Sequence, residues 1–407
     1  MDPVRSRIIP WLLGFFLTAN TFLVPTLATS PRATDLLGVV LAGWLLVEAH
    51  RRGVPSGPLA ALGVAIVMPV VWLGHGILEG HTETVSQAGR WLVAAPWAVA
   101  LLLVTADVDA RARFAWGLVS GCGVGVLVVV LQFLGYDPWL RMIGFSTTDS
   151  AFHHYVYHQV RIPGMHGHHS ASSAVLSLIG PASLYLYFRR GAPLWLPIVC
   201  LLAMMLALNL TSTRSPLVVA ILVVGLGLLL ARDWTRLVPL GGLLVAGAVL
   251  YLAIFGPPGG AVRWTDMLAL EANAGERLAS NATALEISVR HPLGMGVVGG
   301  KKEMVDVGQI EATHNALLQA SLFFGAPLAL MLLAALLRHT VRFVREVTDL
   351  TFLRGLLSLQ ILGLFMFEEH LNNPTFVILG SWLLAAAVMR DGFVRADDPA
   401  PTRVDVS

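Results

Sequence analysis

Charge is the first thing this 407-residue chain has little of: Asp, Glu, Lys and Arg together make up 13% of it, against 56% hydrophobic residues. With a mean hydropathy of +0.72, that poverty excludes an ordinary soluble domain, in which roughly 45–50% of residues are apolar and about a quarter are charged. Cysteine is nearly absent. Cys122 and Cys200 both fall in hydrophobic runs, where a thiol behaves as a small buried hydrophobe, so neither a disulfide framework nor a cysteine metal site is expected. Internal repeats, heptad arrays and low-complexity tracts are also missing, which excludes a solenoid or a coiled coil. The net charge is only +2, and its basic residues divide between two faces, so nothing points to nucleic acid.

What is present is a succession of apolar runs near the length that crosses a ~30 Å hydrocarbon core. About twelve are read: 8–27, 36–49, 59–78, 91–105, 114–134 and 171–188 in the first half, then 194–208, 217–230, 237–255, 316–337, 352–367 and 375–389. An all-α integral membrane protein follows, with residues 1–390 as one polytopic domain and 391–407 as a polar, disordered tail. The first run is too long for the core of a cleaved signal and reads as an uncleaved first helix.

Basic residues punctuate alternate connections, among them Arg51/Arg52, Arg111/Arg113, Arg189/Arg190, Arg232/Arg236 and Arg338/Arg342/Arg345. By the positive-inside rule these mark the cytoplasmic face, with both termini inside. The opposite face then carries two long loops, 135–170 and 256–313, and every histidine except His50 and His339. Loops of that length are functional or disordered, and these are too aromatic and too periodic for disorder. Met267, Leu268, Leu270, Leu278, Leu285 and Ile287 recur at helical spacing, so the second loop is expected to be helical from Trp264 to about Ser288 and to form part of a small cap.

Several residues on that face carry chemistry. Arg161 opens Arg161-Ile-Pro-Gly-Met-His166, a glycine-bearing lead-in to a helix N-terminus, where free N–H groups favour phosphate. Arg214, in the turn Thr211-Ser-Thr-Arg214-Ser-Pro216, lies between two apolar runs, and an arginine at that depth is a functional candidate unless it snorkels to the headgroups. Arg277 falls on the loop helix. Arg290 ends it, either as an anion ligand or as the charge complement of a helix C-terminus. His314-Asn315 stands where the loop re-enters the membrane; Thr313 is expected to cap the new helix, whose N-terminus would keep the imidazole neutral, as a general base requires. His153, His154, His158, His166, His168 and His169 could instead bind metal, but residues 151–170 contain no Cys, Asp or Glu to complete such a site. Neither outward loop carries an Asp-x-Asp pair, the commonest holder of a divalent ion on a nucleotide sugar.

Taken together these motifs resemble the O-antigen ligase and polymerase superfamily, membrane glycosyltransferases that use lipid-linked glycans. The resemblance rests on about twelve spans, Arg161-x-x-Gly164, Thr213-Arg214, Arg277 in a large late loop, His291-Pro-Leu-Gly-x-Gly296, and His314-Asn315 followed by nine residues and Gly325. The chain departs from the pattern at Ser215, where glycine is usual, and at Leu328, where a small residue, Thr or Tyr is usual. The resemblance implies a GT-C-like fold in the bacterial inner membrane. It implies a periplasmic site that transfers polysaccharide from undecaprenyl pyrophosphate to a hydroxyl of the lipid A–core acceptor, with inversion and with neither metal nor cofactor. Arg161, Arg214 and Arg277 would hold the diphosphate with Arg290 in reserve, His314 would act as base, and His166 and Asn315 would support them. The competing readings are a polymerase joining lipid-linked repeat units, a protein O-oligosaccharyltransferase, and, from a different class, a transporter or flippase for a diphosphate-linked lipid. A haem-handling protein would need a Trp-rich motif, whereas the 11 Trp are scattered.

Overall fold

A computed structural model of the chain describes residues 8–20, 33–52, 56–136, 139–140, 162–166, 168–211, 213–255, 267–309, 313–367 and 370–388. Every regular element among them is helical, with no strand. In chain order the helices are α1 (Ile9–Thr18), α2 (Ala33–Arg52), α3 (Ser56–Leu78), α4 (Thr82–Ala106), α5 (Val108–Phe133), α6 (His169–Leu176), α7 (Ile179–Arg190) and α8 (Trp195–Leu210). The second half adds α9 (Arg214–Ala231), α10 (Trp234–Phe255), α11 (Met267–Arg290), α12 (Gly296–Asp306), α13 (Ala316–Phe324), α14 (Ala326–Arg345), α15 (Asp349–Phe367), a 3-10 turn at His370–Asn372, and α16 (Pro374–Val388).

Among the described residues, five stretches are long and apolar enough to cross a membrane: α4, α5, the α6–α7 pair, α14 and α15. Shorter apolar helices accompany them, consistent with a multi-pass membrane protein. The α6–α7 pair is the centre of the bundle, with 94% of its apolar window buried; α7 packs against α5, α8, α9 and α15. α1 and α5 run so close that a Cβ at Gly14, Gly117 or Gly121 would collide with the facing helix, at Phe114 O, Trp11 O and Thr18 Oγ1 respectively. Small residues four apart permit such backbone approach where lipid offers no hydrophobic drive.

Two expected spans are interrupted. The run 171–188 breaks at Ser177–Leu178, between α6 and α7. The run 316–337 is not one helix: Gly325, at φ +101°, divides it into α13 and α14. That backbone conformation is open to glycine and strained for other residues, and Pro327 in the first turn of α14 has no N–H to continue α13. The loop helix expected from Trp264 is α11, beginning at Met267; α12 was not foreseen.

Among the described residues, Arg111, Arg190 and Arg236, from three of the alternate connections, meet at one end of the bundle. Arg111, 1% exposed, pairs with Asp349 and donates from Nε to Thr105 O at 2.8 Å. Tyr185 donates its hydroxyl to Asp349 at 2.9 Å. Arg190 pairs with Asp109 at 2.6 Å, and Arg236 donates to Tyr187 O at 2.6 Å. The chain's one Asp-x-Asp triplet, Asp107-Val108-Asp109, is here too, used structurally: Asp107 caps α5 by accepting from Ala110 N at 2.7 Å, and Asp109 holds Arg190.

Candidate active site

The opposite end of the bundle is organised around α13. Asn315, not Thr313, caps this helix, its side-chain oxygen accepting from Leu317 N at 2.9 Å and Leu318 N at 3.1 Å. Thr313 instead donates its hydroxyl to Asn315 O at 3.0 Å. His314 therefore sits one residue before the cap rather than in the first turn. The half-buried imidazole is held below the ordinary histidine pKa first by burial and then by the positive charge of Arg277, with Glu276 opposing. An unprotonated ring at neutral pH is the state a general base needs.

The nine residues between Asn315 and Gly325 are α13 itself, about 14 Å at 1.5 Å per residue. At its far end two glycines meet back to back. A Cβ on Gly294 (φ +85°) would lie 2.6 Å from Gly325 N, and one on Gly325 would lie 2.8 Å from Leu293 C. Ala326 N donates to Pro292 O, and Met295 N to Leu322 O, both at 2.9 Å. The His-Pro-Leu-Gly-x-Gly stretch and the distant Gly325 are thus two halves of one junction, which fixes the α11–α12 cap onto α13. Trp72 Nε1 donates to Leu293 O at 3.0 Å, and Thr84 Oγ1 accepts from Val297 N at 3.1 Å, tying the same junction to α3 and α4.

Arg277, on α11, reaches the last residue of α15, donating from Nη1 to Phe367 O at 3.1 Å. Asn315 Nδ2 meets Met366 Sδ at 3.9 Å, so the end of α15 touches both Arg277 and Asn315. The 3-10 turn follows. His370, which sequence reasoning passed over, is buried there against the Phe376 ring at 5.2 Å. Burial and the neighbouring His168 push its pKa down to about 3. The polar run Glu368-Glu369-His370-Leu371-Asn372-Asn373 between two apolar helices was the signal available.

His168 leads into α6, its ring 4.4 Å from that of His169. From here a chain of hydroxyls reaches the Arg214 turn. Ser173 Oγ lies 2.6 Å from His169 O and 2.7 Å from Thr211 Oγ1, and it accepts from Thr213 Oγ1. Thr213 is the N-cap of α9, and Arg214 is that helix's first residue. Just upstream, Gly164 (φ +66°) turns the chain against α6: its N–H donates to Gln132 Oε1 at 2.8 Å, and a Cβ there would meet Ser172 at 2.6 Å. The close approach that glycine permits is to the protein's own Ser172. His166 is buried beside it, its backbone N–H donating to Ser172 Oγ at 3.1 Å.

The structure therefore brings His314, Asn315, Arg277, His168 and the Arg214 turn to one end of the bundle, linked through the ends of α15 and α6. Arg290 stands apart. It is exposed, pairs with Glu286 on the surface of α11, and lies thirteen residues, about 20 Å, along the helix from Arg277. Arg161 and the histidines His153, His154 and His158 lie outside the described residues. No protein-family model matches the chain, and no curated protein does.

Proposed function

We propose that the chain is an O-antigen ligase of the inner membrane, with about twelve spans and a GT-C-like arrangement. It transfers a polysaccharide from undecaprenyl pyrophosphate to a hydroxyl of lipid A–core at the periplasmic face. One observation carries this reading: a histidine kept neutral by burial and by an adjacent guanidinium, at the end of the bundle opposite the paired arginines. The acceptor hydroxyl oxygen attacks the anomeric carbon as its proton passes to the His314 imidazole. The bond from that carbon to the diphosphate oxygen breaks, with inversion, and undecaprenyl pyrophosphate leaves. Arg277 and Arg214, together with Arg161, neutralise the departing charge, because arginine stays protonated and binds phosphate oxygens in a fork. Asn315 fixes the base by capping the helix that follows it. The same Arg277 then repels the new imidazolium, which favours loss of its proton to water and resets the base.

The test is transfer by purified protein in detergent with EDTA, supplying undecaprenyl-pyrophosphate glycan with lipid A–core or with further donor as the sole acceptor. Glycan on lipid A–core is the expected result. Chain growth on the donor would make the protein a polymerase. No product with either would overturn both readings, in favour of a protein acceptor or of transport.

A further inference from the structure

The helix that carries Arg277 has a second face that is exposed among the described residues. α11 holds Glu276, Arg277, Glu286 and Arg290 and is not among the stretches able to span a membrane. One flank, with Ser280, Ala284 and Ile287, is buried, and α11 packs on α13. On the other side Leu278, Leu285 and Val289 are 72%, 54% and 73% exposed. Their spacing of seven and then four residues puts them in one line on the helix, about 16 Å long.

The depth of that line follows from the connections. α14 and α15 are consecutive spans joined by a short turn, so the start of α14 and the end of α15 lie on the same side of the membrane. α13 begins against the end of α15, at Met366, and finishes at Gly325, where α14 begins. It therefore lies across that face rather than through the bilayer. α11 runs alongside it in the same direction, with Arg277 beside His314 at one end and Pro292, just past its last residue, bonded to Ala326 at the other. The stretch of α11 from Arg277 to Arg290, which carries the stripe, is thus held at the level where spans meet the membrane surface. Leu293 in the turn after α11 and Leu330 on α14, a stretch long and apolar enough to span, are exposed as well, at 66% and 63%. The Glu286–Arg290 pair edges the stripe at its rim.

We infer that α11 is an interfacial helix, its Leu278–Leu285–Val289 stripe embedded in the lipid leaflet on the His314 side of the membrane. Amphipathic helices lie in the interface plane with the apolar face about 5–10 Å into the headgroup–acyl boundary. This inference needs only that α14 and α15 span the bilayer and is independent of the reaction proposed above. It gives the cap a second attachment, to lipid, and puts Arg277 on a helix in contact with the leaflet.

The test uses the full chain in phospholipid nanodiscs, with a nitroxide on Leu285→Cys or Val289→Cys, and on Lys302→Cys of α12 as the exposed reference. Lipid embedding predicts that the α11 labels collide with oxygen in preference to a water-soluble nickel chelate, and that the Lys302 position does the reverse. Nickel-dominated collisions at 285 and 289 would place the stripe in water. Protection from both relaxants with spin–spin broadening would show a second copy covering it. Either outcome overturns the inference. Should Leu285→Cys fail to accumulate, Ala282→Cys on the same exposed line reports the same environment.

Discussion

At one end of the bundle Arg111 is buried against Asp349, Tyr185 joins the same carboxylate, and Arg190 is matched to Asp109. At the other end Arg277 donates to a main-chain carbonyl, Phe367 O, while its charge is felt by the imidazole of His314. The same residue type does different work in the two places. Where arginine meets aspartate, both charges are satisfied and the helices are pinned. Where arginine sits beside a histidine, its charge helps to hold the imidazole unprotonated, which the proposed reaction would use for a base.

The sharpest way to break that contrast is His314→Ala, which is expected to lower glycan transfer roughly 10²–10⁴-fold, the usual contribution of a placed general base, with the thermal transition in detergent unchanged. Full activity in this variant would remove the base from the site. Next in size is Arg111→Ala at the pinned end, which strands Asp349 and should cost about 3–5 kcal/mol of stability. Activity per folded molecule is expected to persist there, and a selective loss of turnover without unfolding would merge the two ends into one functional unit. Gly325→Ala forces a side chain into the junction with Leu293 at φ +101° and should cost about 1–3 kcal/mol. Faster proteolysis of the α11–α12 cap would be its readout, and an unaffected cap would show that the junction is not what holds it.

The smallest effect discriminates most finely. The acid limb of the rate profile should lie below the ordinary histidine range, since His314 is active when unprotonated and its pKa is depressed. Arg277→Gln removes a cause of that depression, so the limb of the residual rate should move to higher pH. Glu276→Gln removes an opposing charge and should move it to lower pH, by less. A limb indifferent to both would mean that the titrating group is not His314.

Much of the fold was legible in the sequence because hydropathy reports which segments avoid water, and α15, α16 and the loop helix α11 begin and end within a few residues of expectation. What hydropathy cannot report is a break between two apolar pieces. Residues on either side of Gly325 are equally hydrophobic, and only Gly325-Ala-Pro327 hinted that the helix ends there. At the site, the spacing from His314 to Gly325 was visible, but its meaning was not, since a nine-residue helix between two fixed points becomes apparent only once Gly294 is seen against Gly325. Thr313 looked like a cap because threonine commonly is one; Asn315 took that place because its side chain reaches two N–H groups. The polar run around His370 marked a break between apolar helices, but its proximity to His168, from a distant segment, is one that no local pattern records.

The glycine seam between α1 and α5 bears on how the chain is made. Thr18 and Leu118, joined across it, are 100 residues apart. At a synthesis rate of about 5–20 residues per second, α1 has been made roughly 5–20 s before its partner surface exists. During that interval Gly14 and Thr18 face whatever surrounds the growing chain, with no facing helix to fill the groove they leave. The contacts that seat α1 on α5 can therefore form only after α5 has been made, and the bond from Thr375 to Leu17 O only when α16 follows.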